Sequence, residues 1–144
     1  MTFPVVPEQR TRITPRSAIA ARAAVAAAWL LIRLSPGRLR RLLRALAHGA
    51  RPATEAEALR SRQAVVSVSR ACAGQGCLQR AVATVLLCRL RGAWPDWCTG
   101  VRTQPFRAHA WVEVNRRPVG EGEDIQLFRT LIRVPAPENR RRDT

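Results

Sequence analysis

The sequence predicts an α+β fold, with helices first and a small antiparallel sheet after them. Up to Gly92 the segments are dominated by strong helix formers, chiefly alanine, leucine and arginine. Beyond it, RAHAWVEV alternates with period two, as a strand does. Helices followed by strands, rather than alternating with them, is the α+β order. A chain of 144 residues, 47% hydrophobic and 24% charged, has room for one domain with a modest core and is too apolar to stay disordered. The expected organisation is a single domain over 1–144: an extended arm (1–16), a helical part (17–69), a core that carries the chemistry (70–134) and a polar tail (135–144).

Each element follows from local signals. Pro4, Pro7 and Pro15 disfavour a regular helix in the arm. Ser17 is a candidate cap for a first helix, AIAARAAVAAAWLLIRL, which runs to Leu34 and is stopped by Ser35, Pro36 and Gly37. In RLRRLLRALAHG, Leu39, Leu42, Leu43 and Leu46 share one face and arginines the other, so this second helix needs a partner for its stripe before it ends at Gly49. Residues 54–69 read as a third helix, with Thr54 and Glu57 spaced as a capping box. The string CAGQG (72–76) breaks helical structure through Gly74 and Gly76 and leads into CLQRAVATVLLCRLRG, which puts Cys77 in the first turn of a helix and Gly92 past its end. After AWPDWCTGVRTQPF comes the period-two segment, with His109, Trp111 and Glu113 on one face and Ala108, Ala110, Val112 and Val114 on the other. Residues 115–117 predict a turn, and PVGE the returning strand.

The formal charge of +15 invites a nucleic-acid reading. All 25 basic residues are arginine, however, and alanine is abundant, the pattern a GC-rich genome imposes on surface positions. An acidic peptide or protein partner also fits this balance; nucleic acid is not expected. The longest apolar run, 23–32, lies between Arg22 and Arg33 and is shorter than a bilayer requires, so no transmembrane segment is expected. The opening MTFPVVPEQRTRITPR has neither an apolar core nor a small-residue cleavage site, which predicts a cytoplasmic protein with reduced thiols. The spacing Cys-x4-Cys-x10-Cys-x9-Cys contains no close pair and argues against a structural zinc site. No cofactor or metal is expected.

A thiol becomes a good nucleophile when its thiolate is stabilised, and the positive end of a helix does this. Cys77 has that placement, with glycines ahead of it, helix amides including its own to receive an oxyanion, and Arg80 one turn on. The same spacing also fits a small buried cysteine. Cys88 falls in the apolar interior of that helix and reads as core; Cys72 and Cys98 read as structural. Of the two histidines, His48 ends an arginine-rich helix, where a cation is favoured. His109 projects from a strand made for packing and reads either as a satisfied core histidine or as the base for a thiol. Such a base needs a carboxylate or amide to hold its tautomer. Glu113 lies about 13 Å along the strand and is too far. Glu121, Glu123 and Asp124 follow on the returning strand, and register decides between them: a turn at Arg116–Arg117 puts Asp124 opposite His109, while a bulge or longer turn brings Glu121 there.

The strings GCLQRAVATVLLCRLRG and GVRTQPFRAHAWVEVNRRPVGE resemble the transglutaminase-like leader peptidases of lasso-peptide biosynthesis, in the short form whose leader-recognition domain is a separate protein. The shared pattern is a Cys-Leu-x-Arg helix start, a Gly-Val and Pro-Phe approach, and His-Ala-Trp-Val-Glu, over residues 70–134. The resemblance implies a transglutaminase/papain-like cysteine protease core with a Cys-His-acid triad of Cys77, His109 and a carboxylate. That family places an aspartate about twelve residues after its histidine; here Glu121 stands there, with Asp124 the alternative. It further implies a precursor peptide as substrate and, as partners, a separate leader-recognition protein and an ATP-using, asparagine-synthetase-like cyclase. An acyltransferase of the same fold would use the same triad.

Overall fold

The computed structural model describes residues 12–138. Most of the expected arm (1–11) and the end of the expected tail (139–144) lie outside them. Helix α1 spans Pro15–Leu31 and is capped by Thr14, not Ser17: the Thr14 hydroxyl accepts the Ser17 amide at 3.2 Å. Pro15 opens the helix because its missing N–H falls where no partner is needed, so the arm gives way to helix two residues earlier than its expected end. At the other end, amides of Arg33 and Leu34 bond three residues back, to Leu30 and Leu31, in a tightened turn that closes the helix before Leu34. Ser35 then caps α2 (Pro36–Ala47) through the Arg38 amide. Its stripe of Leu39, Leu43 and Ala47 is buried, and the partner it required is the last strand of the sheet.

Thr54 caps α3 (Glu55–Val68) by accepting the Glu57 amide at 3.2 Å. The reciprocal half of the capping box is diverted, because the Glu57 carboxylate pairs with Arg51 at 3.0 Å. A short α4 (Arg70–Ala73) takes in Cys72 and Ala73, so the expected break begins only at Gly74. Helix α5 (Cys77–Leu90) is the central rod, packed on α1, α3 and the sheet. Its burial extends around most of its circumference, from Gln79 and Arg80 to Leu87 and Cys88. Among the described residues no helix is long and apolar enough to cross a membrane.

Two short strands, β1 (Arg51–Pro52) and β2 (Ala93–Trp94), form a parallel pair. The main sheet is antiparallel and contains β3 (Asp96–Arg102), β4 (Arg107–Val114), β5 (Arg117–Pro118) and β6 (Arg129–Val134), in the order β5-β4-β3-β6. Trp97 faces Val112, Thr99 faces Ala110 and Val101 faces Ala108 across the β3/β4 ladder, and this side meets the helices. Opposite it stand Asp96 with Glu113, Cys98 with Trp111, and Gly100 with His109. The period-two reading of β4 is therefore right in its faces, although both become buried near its end. Strand β6 has no counterpart among the sequence expectations. Its pairing slips by one residue between Thr99 and Gly100, leaving Leu131 as the extra residue of a bulge, which blurs the alternation that would have marked it.

Candidate active site

The site is assembled where the first turn of α5 meets the open edge of β4. Gly76 makes the approach possible. Its amide donates to the Ala71 carbonyl at 2.9 Å, and an added Cβ would stand 2.6 Å from that same oxygen. Arg80 is buried, and its guanidinium donates to the carbonyls of Cys72 at 2.9 Å and Gly74 at 3.3 Å, stapling the loop that presents Cys77. One expectation is corrected: the Cys77 amide, read as an oxyanion donor, is engaged with the Gln75 carbonyl at 2.9 Å.

The Cys77 thiol stands beside the His109 ring and the backbone amide of Ala110, both of which favour its thiolate. Strand pairing explains the second contact. Val112 accepts from Val119 on the β5 side, so two residues earlier Ala110 turns its N–H to the same edge, where β5 has already departed and Cys77 stands instead. On its other side His109 Nε2 lies 2.9 Å from Glu121 Oε2. The imidazole is stacked with Trp111, ring centres 5.9 Å apart and planes within 14°, and Phe128 tilts against it at 5.4 Å. Gly100, opposite His109, keeps this stack possible: a Cβ there would stand 2.9 Å from the Trp111 ring and 2.3 Å from the Arg129 carbonyl oxygen.

The carboxylate is delivered by a turn one residue earlier than the Arg116–Arg117 turn weighed from the sequence. Asn115 (φ 52°) and Arg116 (φ 65°) form the two-residue turn, pairing Val114 with Arg117. The ladder then stops, Gly120 turns the chain at φ 70°, and Glu121 swings back to His109. Asp124 sits in the 3-10 helix Glu123–Leu127 and lines a small pocket of 140 Å³ behind His109 together with Glu121 and Phe128. Glu123 lines the separate cavity beside Trp111. Arg62 was not anticipated. It is buried on α3, its guanidinium is 3.6 Å from Glu121 Oε1, and its stem packs where a Gly120 side chain would otherwise be. The available signal was an arginine among Ala58, Ser61, Val65 and Val66 on the buried face of α3.

Electrostatics set Cys77 apart from the other three thiols. Burial works to raise the pKa of all four, and Cys98 is pushed up to about 12 by burial and then by Glu113. At Cys77 burial is outweighed by the bonds from His109 and the Ala110 amide and by the charges of His109 and Arg80, so its pKa ends below the ordinary thiol value. Burial also works against the His109 cation, but bonds to Cys77 and Glu121 reverse this and raise His109 to about 9. Near neutral pH both shifts favour a thiolate beside an imidazolium. A thiol beside an imidazole that a carboxylate holds at 2.9 Å is an arrangement suited to acyl chemistry.

On the thiol side of the sheet a groove of about 510 Å³ opens, with Cys77 and His109 in its lining and mostly apolar walls. A thiol at a helix start, bonded to a histidine on an antiparallel sheet, is the arrangement of the cysteine protease and acyltransferase fold. The chain belongs to the transglutaminase-like superfamily, whose family model matches residues 21–133. None of the curated proteins compared with it, and none of the solved structures, gave a match.

Proposed function

We propose that this chain is a cysteine peptidase that removes the leader from a ribosomally made lasso-peptide precursor. The observation that carries the peptidase reading is the Cys77 thiol beside His109, itself held by Glu121 at 2.9 Å, with Cys77 alone of the four thiols lowered in pKa. The Cys77 thiolate attacks the scissile carbonyl. Collapse of the tetrahedral adduct breaks the C–N bond, and His109 gives its proton to the departing amine. Water then loses a proton to His109 and attacks the thioester; the new carboxylic acid leaves and the thiol is restored. Glu121 holds the ring and stabilises its cation throughout.

The lasso assignment rests on the motif strings quoted above and on membership of the transglutaminase-like superfamily. In this reading a separate leader-recognition protein presents the precursor, docking on the arginines of α1 and α2, and an asparagine-synthetase-like cyclase closes the ring after cleavage. The test is incubation with a candidate precursor and its leader-binding protein, followed by mass analysis. Fragments that together exceed the precursor by one water, formed by the native chain and absent with Cys77→Ala, support the peptidase. An amide-linked product instead identifies an acyltransferase, and unchanged cleavage by Cys77→Ala overturns the nucleophile.

A further inference from the structure

We propose that the groove beside Cys77 is a specificity subsite for an uncharged, apolar side chain flanking the bond that is cut. This deepens the reading just given and rests on Cys77 being the nucleophile.

The first ground is position. Cys77 and His109 belong to the lining, so a peptide whose carbonyl reaches the thiol must lay an adjoining side chain into or across this space. The second is composition. The two walls are Ile32, Leu34 and Leu39 from the α1–α2 corner, and Trp97, Val101 and Leu131 from the sheet. Apart from Cys77 and His109 themselves, no ionisable side chain among the described residues lines the groove, although the chain carries 25 arginines. The contrast lies a few residues away. Across the sheet, the pocket behind His109 is lined by Arg107, Glu121 and Asp124, and the 390 Å³ cavity beside Trp111 by Glu113, Arg116, Glu121 and Glu123. Beyond the Cys77–His109 pair itself, charge among the described residues is thus concentrated behind the histidine and not along the groove. A carboxylate or ammonium lying between the apolar walls, away from the Cys77–His109 pair, would lose hydration without gaining a partner, whereas an aliphatic or aromatic group would bury its surface on both walls.

The third ground is how the groove is built. Its outer wall exists only because α1 stops at Leu31 and Ser35 with Pro36 restarts the chain as α2, aiming Ile32 and Leu34 at the sheet. Its rim on the other side is the bulge residue Leu131, which is 62% exposed, a large apolar side chain left uncovered at the mouth. The volume, about 510 Å³, is within the range of sites that enclose organic ligands. This assigns the N-terminal helices a part in selecting substrate.

The experiment needs no natural substrate. The full chain is alkylated with N-methyl-, N-butyl- and N-hexylmaleimide, and with a hexyl analogue ending in a carboxylate; the modified cysteine is located by mass spectrometry, and rates are divided by those of a free small thiol. Each methylene that leaves water in the groove is worth up to about fourfold, so the hexyl reagent should outpace the methyl one at Cys77 by at least about tenfold, and the terminal carboxylate should erase most of that gain. Leu131→Asp, at an exposed position, and Leu34→Gln, on the opposite wall, should each lower the hexyl-to-methyl ratio. Equal rates along the series in the native chain, or ratios unmoved by both substitutions, overturn the subsite while leaving Cys77 as nucleophile. Labelling that survives Cys77→Ala overturns the nucleophile and the subsite with it.

Discussion

Strand β4 carries two buried ionic arrangements on the same face, four residues apart, and they are built to opposite ends. At His109, a ring raised to about 9 sits between a thiol and the Glu121 carboxylate, with Arg62 behind. At Glu113 the carboxylate is closed in. One oxygen accepts from the Trp111 indole at 2.9 Å and the other from Arg133 at 2.6 Å, while Arg133 also reaches Asp96 at 3.1 Å and Asp96 accepts the Ala136 amide. The first arrangement adjoins an apolar groove and leaves its charge movable. The second joins β3, β4, β6 and the chain beyond β6. The two meet in Trp111, which stacks on the imidazole with its face and bonds Glu113 through its nitrogen.

The sharpest way to break the comparison is to remove the thiol. Cys77→Ala should lower kcat for peptide cleavage by roughly a millionfold, the loss typical of deleting a nucleophile, with melting temperature little changed. Next in size, Glu121→Gln should cost on the order of a thousandfold and should also alter the pH profile. With His109 raised to about 9, its proton is held below that value and lost as pH climbs through it, giving an alkaline limb near 9. Cys77, lowered from its ordinary value, sets the acid limb as pH falls through its own pKa. By the same signs, the His109 contribution to stability is full below the ordinary imidazole value and is lost as pH rises through about 9, while that of Cys77 is full above the ordinary thiol value and is lost as pH falls through its lowered pKa. Glu121→Gln should draw the alkaline limb down towards the ordinary imidazole range, read from kcat/KM across pH; an unmoved limb would remove Glu121 from the site.

At the other end of the strand the readout should change kind. Arg133→Met leaves Glu113 and Asp96 buried without their cation and should cost about 3 kcal/mol, near 10 °C in melting temperature, while folded protein keeps its pH profile. Adding Glu113→Gln should recover part of that loss. A shifted activity limb in Arg133→Met would show that the two arrangements communicate through Trp111. The smallest effect belongs to Arg62→Gln. Acting through Glu121, it should move the alkaline limb in a direction set by the lost positive charge, upward, and by less than Glu121→Gln moves it down.

The two ends were unequally legible. Cys77 at a helix start and His109 on a two-periodic strand were readable because local signals place them: glycines before the thiol, alternation around the ring. Whether the acid was Glu121 or Asp124 was not, because it depends on which two residues carry positive φ, and Asn115–Arg116 was not the pair that pattern alone suggested. Strand β6 and its bulge escaped because the extra residue breaks the alternation. Arg62 is joined to the site only by tertiary packing, so nothing near it in the chain points to Glu121.

The Asn115–Arg116 turn has one more consequence. With both residues left-handed and Val114 locked to Arg117, the chain between His109 and Glu121 has a fixed contour and works as a ruler. Residues gained or lost in the 103–106 connection are absorbed outside the ruler; one gained or lost between 110 and 120 changes its reading, and the carboxylate then measures to a different atom.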